Sequence, residues 1–170
     1  MKMNLFKYCL LCLLIFPFIS FSQKRKANKD TEEWRYELEV EGQGNQGTYQ
    51  IKVWSYSKKP ETAIEQGKKN AVHGIIFRGF ASKNRVEGQK PLAQSSNLEQ
   101  EHEKFFSDFF DDGGKYLKFV SLANNGAIGA GDRIKIGKEY KVGVVISVDV
   151  NSLRKDLEDA GIIKKLGGQF

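Results

Sequence analysis

The only side chains grouped closely enough to suggest acid–base or metal chemistry are two histidines and a knot of acids around the second one. His102 stands among Glu99, Glu101 and Glu103. On a helix Glu99 and His102 share a face, as in carboxylate-bridged metal bundles, but those sites need a second copy of the motif and the chain has none. A metal also needs at least three converging ligands. Asp108, Asp111 and Asp112 could supply paired carboxylates to a hydrolase or metal-dependent enzyme together with His102. The alternating acids and distal glutamate of a calcium loop are missing, however, and with Gly113 and Gly114 next in line the three aspartates read as a helix end. No serine occupies Gly-x-Ser-x-Gly. Gly126, Gly129 and Gly131 precede a strand, the wrong order for a dinucleotide loop. The residues therefore predict no catalytic group, no metal and no cofactor, and His73 reads as a half-buried helix residue.

Aromatic residues offer binding chemistry instead. Tyr49, Ile51 and Val53 alternate with polar residues, so Trp54 and Tyr56 fall on the other face of that strand. Two large rings there mean either that a helix or loop covers this face, which is the expected arrangement, or that it is a recognition surface for a small ligand or glycan. Loops carried by a rigid sheet are the other recognition candidates. The glycine-rich stretch 42–47 with Asn45, the polar stretch 81–96, and the stretch 124–131 opening on Asn124 and Asn125 are nominated on that ground.

Those residues are positioned by elements whose periodicity is legible. Trp34, Tyr36, Leu38 and Val40 alternate with Arg35, Glu37, Glu39 and Glu41, a strand with one buried face. A second strand follows through Ser57. Pro60 and Glu61 open a helix whose buried face carries Ile64, Ala71, Val72, Ile75 and Ile76, with Glu65, Lys68 and Lys69 pointing away. Gly67 and Gly74 suggest close approach to a strand, and Gly79 a stop. A second helix is predicted from Ser96 or Asn97 to Asp111, burying Leu98, Phe105, Phe106, Phe109 and Phe110. A third strand is predicted over Tyr116 to Leu122, then a hairpin of residues 133–136 and 139–150 about Gly137-Lys138, its second arm the longest and central. A last helix from Asn151 or Ser152 places Leu153, Leu157 and Ala160 on one face, stops at Gly161, and is followed by Ile162, Ile163 and Leu166 packing beyond it. The order predicts an α+β fold: an antiparallel sheet of four to five strands with two to three helices on one face.

The start of the chain predicts its destination. Lys2 and Lys7 precede an apolar run from Tyr8 to Phe21, and Ser20-Phe21-Ser22 supplies small residues for a cut after Ser22, the pattern of a secretory signal peptide. Pro17 interrupts the run, which is short for a membrane span, and no later stretch could form one. Residues 1–22 are read as the leader, 23–32 as a disordered basic lead-in holding Lys24, Arg25, Lys26 and Lys29, and 33–170 as a single domain, within the usual span of about 100 to 200 residues. Both cysteines, Cys9 and Cys12, fall inside the leader, so the exported chain has no disulfide, and Cys12 sits mid-run where lipidation would need it at the end. The net charge of +6, with 27 Lys and Arg against 21 Asp and Glu, is spread among neighbouring acids rather than interleaved with aromatics, which argues against nucleic acid. The expected location is the periplasm or the outer membrane.

The second strand, the helical stretch PETAIEQGKKNAVHGII and the late strand–helix pair GKEYKVGVVISVDVNSLRKDLEDAGI together resemble the small exported domain typified by the N-terminal domain of the flagellar accessory protein FlgT and by related outer-membrane lipoproteins. The likeness covers about two thirds of the exported chain. Ala63, Lys69 and Ala71 stand near the family's alanine-bearing helix motif, Gly67 replaces a favoured alanine, and the lipobox of the lipoprotein members is missing. The resemblance implies an envelope accessory or assembly part and brings no catalytic residues with it; with the residues above, the expectation is a non-enzymatic protein that acts by binding an envelope protein.

Overall fold

Five strands and four helices build the domain in a computed structural model that describes residues 34–166 apart from Asn84. The expected leader over 1–22, both cysteines and the basic lead-in lie outside the described residues. Strands β1 (Tyr36–Gln43), β2 (Thr48–Ser57), β3 (Val120–Leu122), β4 (Arg133–Ile136) and β5 (Glu139–Asp149) form one sheet. Its order is β1-β2-β5-β3, with β4 also paired to β5 and all pairs antiparallel. β3 and β4 lie in line along the same edge of β5: Leu122 faces Ile146, and pairing resumes where Arg133 faces Val142. The stretch 123–132 is thus an excursion from a single interrupted edge strand.

Period-two alternation sets the sheet's inner face. Val40, Ile51, Val53, Val142, Val144, Ile146 and Val148 are all fully buried, and on this face helix α1 (Pro60–Phe77) lies across β2 and β5 with Gly67 against Val144 and Ile146. Gly74 makes the closer approach, since a β-carbon there would overlap Leu38 and crowd Tyr36. The helix ends as predicted: Gly79 takes a left-handed φ of 67° and its N–H bonds back to the Gly74 carbonyl. The fold class and the grouping of helices on one face follow the sequence reading.

A second layer covers α1. Helices α2 (Leu98–Glu101) and α3 (Glu103–Phe110) and a 3-10 turn at Lys115–Phe119 bring aromatic rings over it. Phe106 meets Phe77 at 5.1 Å between centroids, and Phe109 stacks on Phe119 at 6.2 Å. Sandwiched between sheet and phenylalanines, α1 is buried nearly all round, which corrects one expectation: Lys69 points inward and is buried, beside Asp112 at 3.9 Å and the Tyr116 ring at 5.8 Å.

Further expectations change. The second helix breaks at His102 (φ −121°, ψ 35°), so that Glu99 on α2 reaches α1 while the α3 phenylalanines keep to the core. The predicted strand over Tyr116 to Leu122 begins only at Val120, because Tyr116 and Phe119, three apart, eclipse on a 3-10 turn and bury together. Helix α4 (Val150–Asp159) starts on Asp149, whose carboxylate accepts from the Ser152 N–H, and buries Leu153 and Leu157. Ala160 is exposed. Ile162 and Ile163 complete the core cover, and Leu166 stays in solvent at 73 % exposure.

Candidate binding face

The face of the sheet opposite the inner one carries Trp54 and Tyr56, and among the described residues no helix lies over either ring. Of the expected cover by a helix or loop, loop residues supply a part: Lys83 and Asp132 reach this face. Both rings are half-buried by charged neighbours on the same face. Trp54 stands opposite Gly143 on β5, and the missing side chain lets the indole lie flat on the strand: a β-carbon at Gly143 would sit 3.1 Å from two of its ring carbons. The indole Nε1 donates to Glu39 at 2.7 Å, and the Tyr56 hydroxyl donates to Glu37 at 2.9 Å. Ammonium groups stand by the indole, Lys141 at 5.1 Å and Lys52 at 5.8 Å from its centroid, and the Arg35 guanidinium lies 4.8 Å from the Tyr56 ring.

The charges are closed into pairs. Lys141 donates to both oxygens of Glu37 at 2.8 Å, Lys83 to Glu39 at 2.6 Å, Lys52 to Asp132 at 3.0 Å and Arg35 to Glu139 at 3.2 Å. The hydrogen bond from Lys141 and then that from Tyr56 hold the Glu37 carboxyl below its usual range. Those from Lys83 and Trp54 do the same for Glu39. The Asp132 bond raises Lys52, and Glu37 raises Lys141. Glu37, Glu39, Lys52 and Lys141 are thereby favoured in their charged forms, and the two rings are held by their polar edges. Chemically the face can stack, donate charge-assisted hydrogen bonds and pair with charges; among the described residues it presents no buried nucleophile or base.

The other nominated residues do not converge on it. Asn45 is exposed on the turn at the far end of β2, beyond Thr48, while Asn124 and Asn125 occupy left-handed positions (φ 51° and 55°) in the excursion after β3. Nor do the acids gather around His102. Asp108 is exposed and pairs with Lys104, Asp111 ends α3, Asp112 faces Lys69, and among the described residues no three His, Cys, Asp or Glu side chains are placed to hold a metal. His102 lines a separate cleft of about 520 Å³ with Gln94, Ser95, Glu101 and Lys164 over a floor of Leu98, Ile162 and Ile163. A cavity of about 310 Å³ opens beside Tyr36, Leu38 and Arg78.

The sequence reading missed a polar cluster built around His73. Its ring is buried, with Trp34 stacked on it at 3.6 Å, the Tyr36 hydroxyl 2.6 Å from Nδ1 and Glu99 3.4 Å from Nε2. A neutral imidazole protonated on Nε2 satisfies both contacts. Burial lowers the His73 pKa against the pull of Glu99, and burial drives the Tyr36 phenol far above its ordinary range. Arg78 closes the cluster, its guanidinium 4.0 Å from the Tyr36 ring and donating to the Trp34 and Tyr36 carbonyls. Trp34 precedes the strand with a φ of 45°, which is how its ring leaves the β1 alternation and reaches His73. The available signal was the pairing of a lone histidine with an aromatic-rich first strand.

Compared with known protein families, with curated proteins and with solved structures, the chain matches none.

Proposed function

We propose that this chain is an exported, non-enzymatic accessory protein of the cell envelope, and that it works by binding an envelope protein through the open face of its sheet. The observation that carries this reading is the placement of Trp54 and Tyr56 on a face that no helix among the described residues covers, each ring held by a glutamate. Tryptophan, tyrosine and arginine are the side chains that anchor protein interfaces, and rings already fixed in place lose little conformational freedom on binding. The leader-like start supports export, and the resemblance to FlgT-type domains supports an accessory or assembly role in the periplasm or at the outer membrane. Neither ring lines either cavity described above, which favours a protein over a small ligand held in a concave site.

The test is site-specific photo-crosslinking in the producing cell. A crosslinker at Trp54 is expected to give one discrete protein adduct, and a crosslinker at exposed Ser107 on α3 none. Equal adducts from both positions, or none from Trp54, overturn the reading. The glycan alternative is checked separately by titrating oligosaccharides against Trp54 fluorescence.

A further inference from the structure

Within the sheet, the hairpin joining β4 to β5 is where positive charge goes without a partner. Lys52 and Lys141 are held by Asp132 and Glu37, whereas the side chains of Lys135 and Lys138 make no ion pair or hydrogen bond with the described residues. Arg133 leans on the Tyr140 ring at 4.9 Å. Every residue from Arg133 to Lys138 is exposed, including Ile134 at 46 % and Ile136 at 48 %. Strand alternation puts both isoleucines on one side and Arg133 and Lys135 on the other, with Lys138 in the turn. From Ser121 to Lys138 the one acid is Asp132, and Lys52 already occupies it.

We propose that this hairpin tip docks onto an anionic lipid bilayer. Ile134 and Ile136 enter the boundary between headgroups and acyl chains, and Arg133, Lys135 and Lys138 reach back to lipid phosphates, their flexible stems lying along the apolar layer. An exposed aliphatic pair flanked by unpaired bases is what an anionic surface attracts by charge and retains by burial. The tip ends in a two-residue turn, is exposed throughout and contributes to neither cavity described above. A fluid surface suits it better than a shaped protein pocket. Lysine on an edge strand also discourages pairing with other sheets, but that role does not call for two exposed isoleucines.

The test is co-sedimentation of the chain from Gln23 onward, which contains the whole described core, with phosphatidylcholine vesicles prepared with and without phosphatidylglycerol. The protein is expected to sediment only with the anionic vesicles. The pairs Ile134→Ser with Ile136→Ser and Lys135→Glu with Lys138→Glu should each lower the partition coefficient about tenfold or more, with circular dichroism unchanged. Both variants keep the basic residues 24–29, so any contribution from that run cancels. Absence of sedimentation overturns the proposal. So does equal binding to neutral vesicles, loss on charge reversal alone, or vesicle-independent capture of an acidic protein by the tip. Trp54→Ala should leave vesicle binding intact, which separates this outcome from failure of the protein-binding reading.

Discussion

Gly143 and Trp54 illustrate how one absent side chain shapes a surface. Because the indole rests on the bare backbone of β5, Gly143→Val should lift it, weaken its bond to Glu39 and shift Trp54 emission to longer wavelength, measured in a Trp34→Phe background. Unchanged emission would show that the ring does not depend on that gap. His73 gives a pH prediction. In the unfolded chain its pKa is about 6.5, and burial lowers it in the fold. As pH falls below about 6.5 the unfolded chain therefore takes up a proton that the native state resists, and stability declines. Glu37 and Glu39, depressed by their partners, contribute above the ordinary carboxylate range and lose that contribution only at lower pH. The urea midpoint should fall between about pH 7 and 5, and His73→Gln should flatten that slope; a parallel slope in the variant would remove His73 as the cause.

At the level of elements, Gly79 ties the end of α1 to the segment beyond it. A β-carbon there would overlap the Gln89 carbonyl, and φ is 67°. Gly79→Ala is expected to cost about 1–3 kcal/mol by urea denaturation, and a neutral result would mean the 80–91 segment can move aside. The same segment shows what the sequence made legible. Alternation at Tyr36 to Val40, Tyr49 to Tyr56 and Tyr140 to Val148 identified the three long strands, because one buried face imposes period two. Gly79 and Gly161 marked helix stops because only glycine takes a left-handed φ without strain. Lys69 could not be placed, since its burial comes from an aromatic layer folded over α1 from far along the chain. Trp34 misled for the same reason: its ring answers to His73 on α1, not to the strand it adjoins in sequence. Of the candidate site, Trp54 and Tyr56 could be assigned a face. Whether anything covered that face depended on tertiary packing, and the glutamates and lysines that fix the rings come from β1, β5 and the loop after α1.

For the molecule as a whole, one continuous core joins the sheet, α1 and the phenylalanine layer, so it should unfold in a single step. Trp54 fluorescence and far-UV circular dichroism are expected to give coincident urea transitions. Leu157→Ala, at a fully buried site, should shift both together by about 2–5 kcal/mol. Separated transitions would reveal α4 melting on its own.

The interrupted edge strand has a consequence for redesign. β3 and β4 are each pinned to β5 independently, with residues 123–132 between Leu122 and Arg133 spanning only Gly143, Val144 and Val145. Within that detour Ile128 packs against the core and Asp132 holds Lys52, so the residues open to change are those around Asn124 and Asn125, at its exposed start. Foreign peptides can be spliced there for display or capture while hydrogen-bond registration on either flank is preserved.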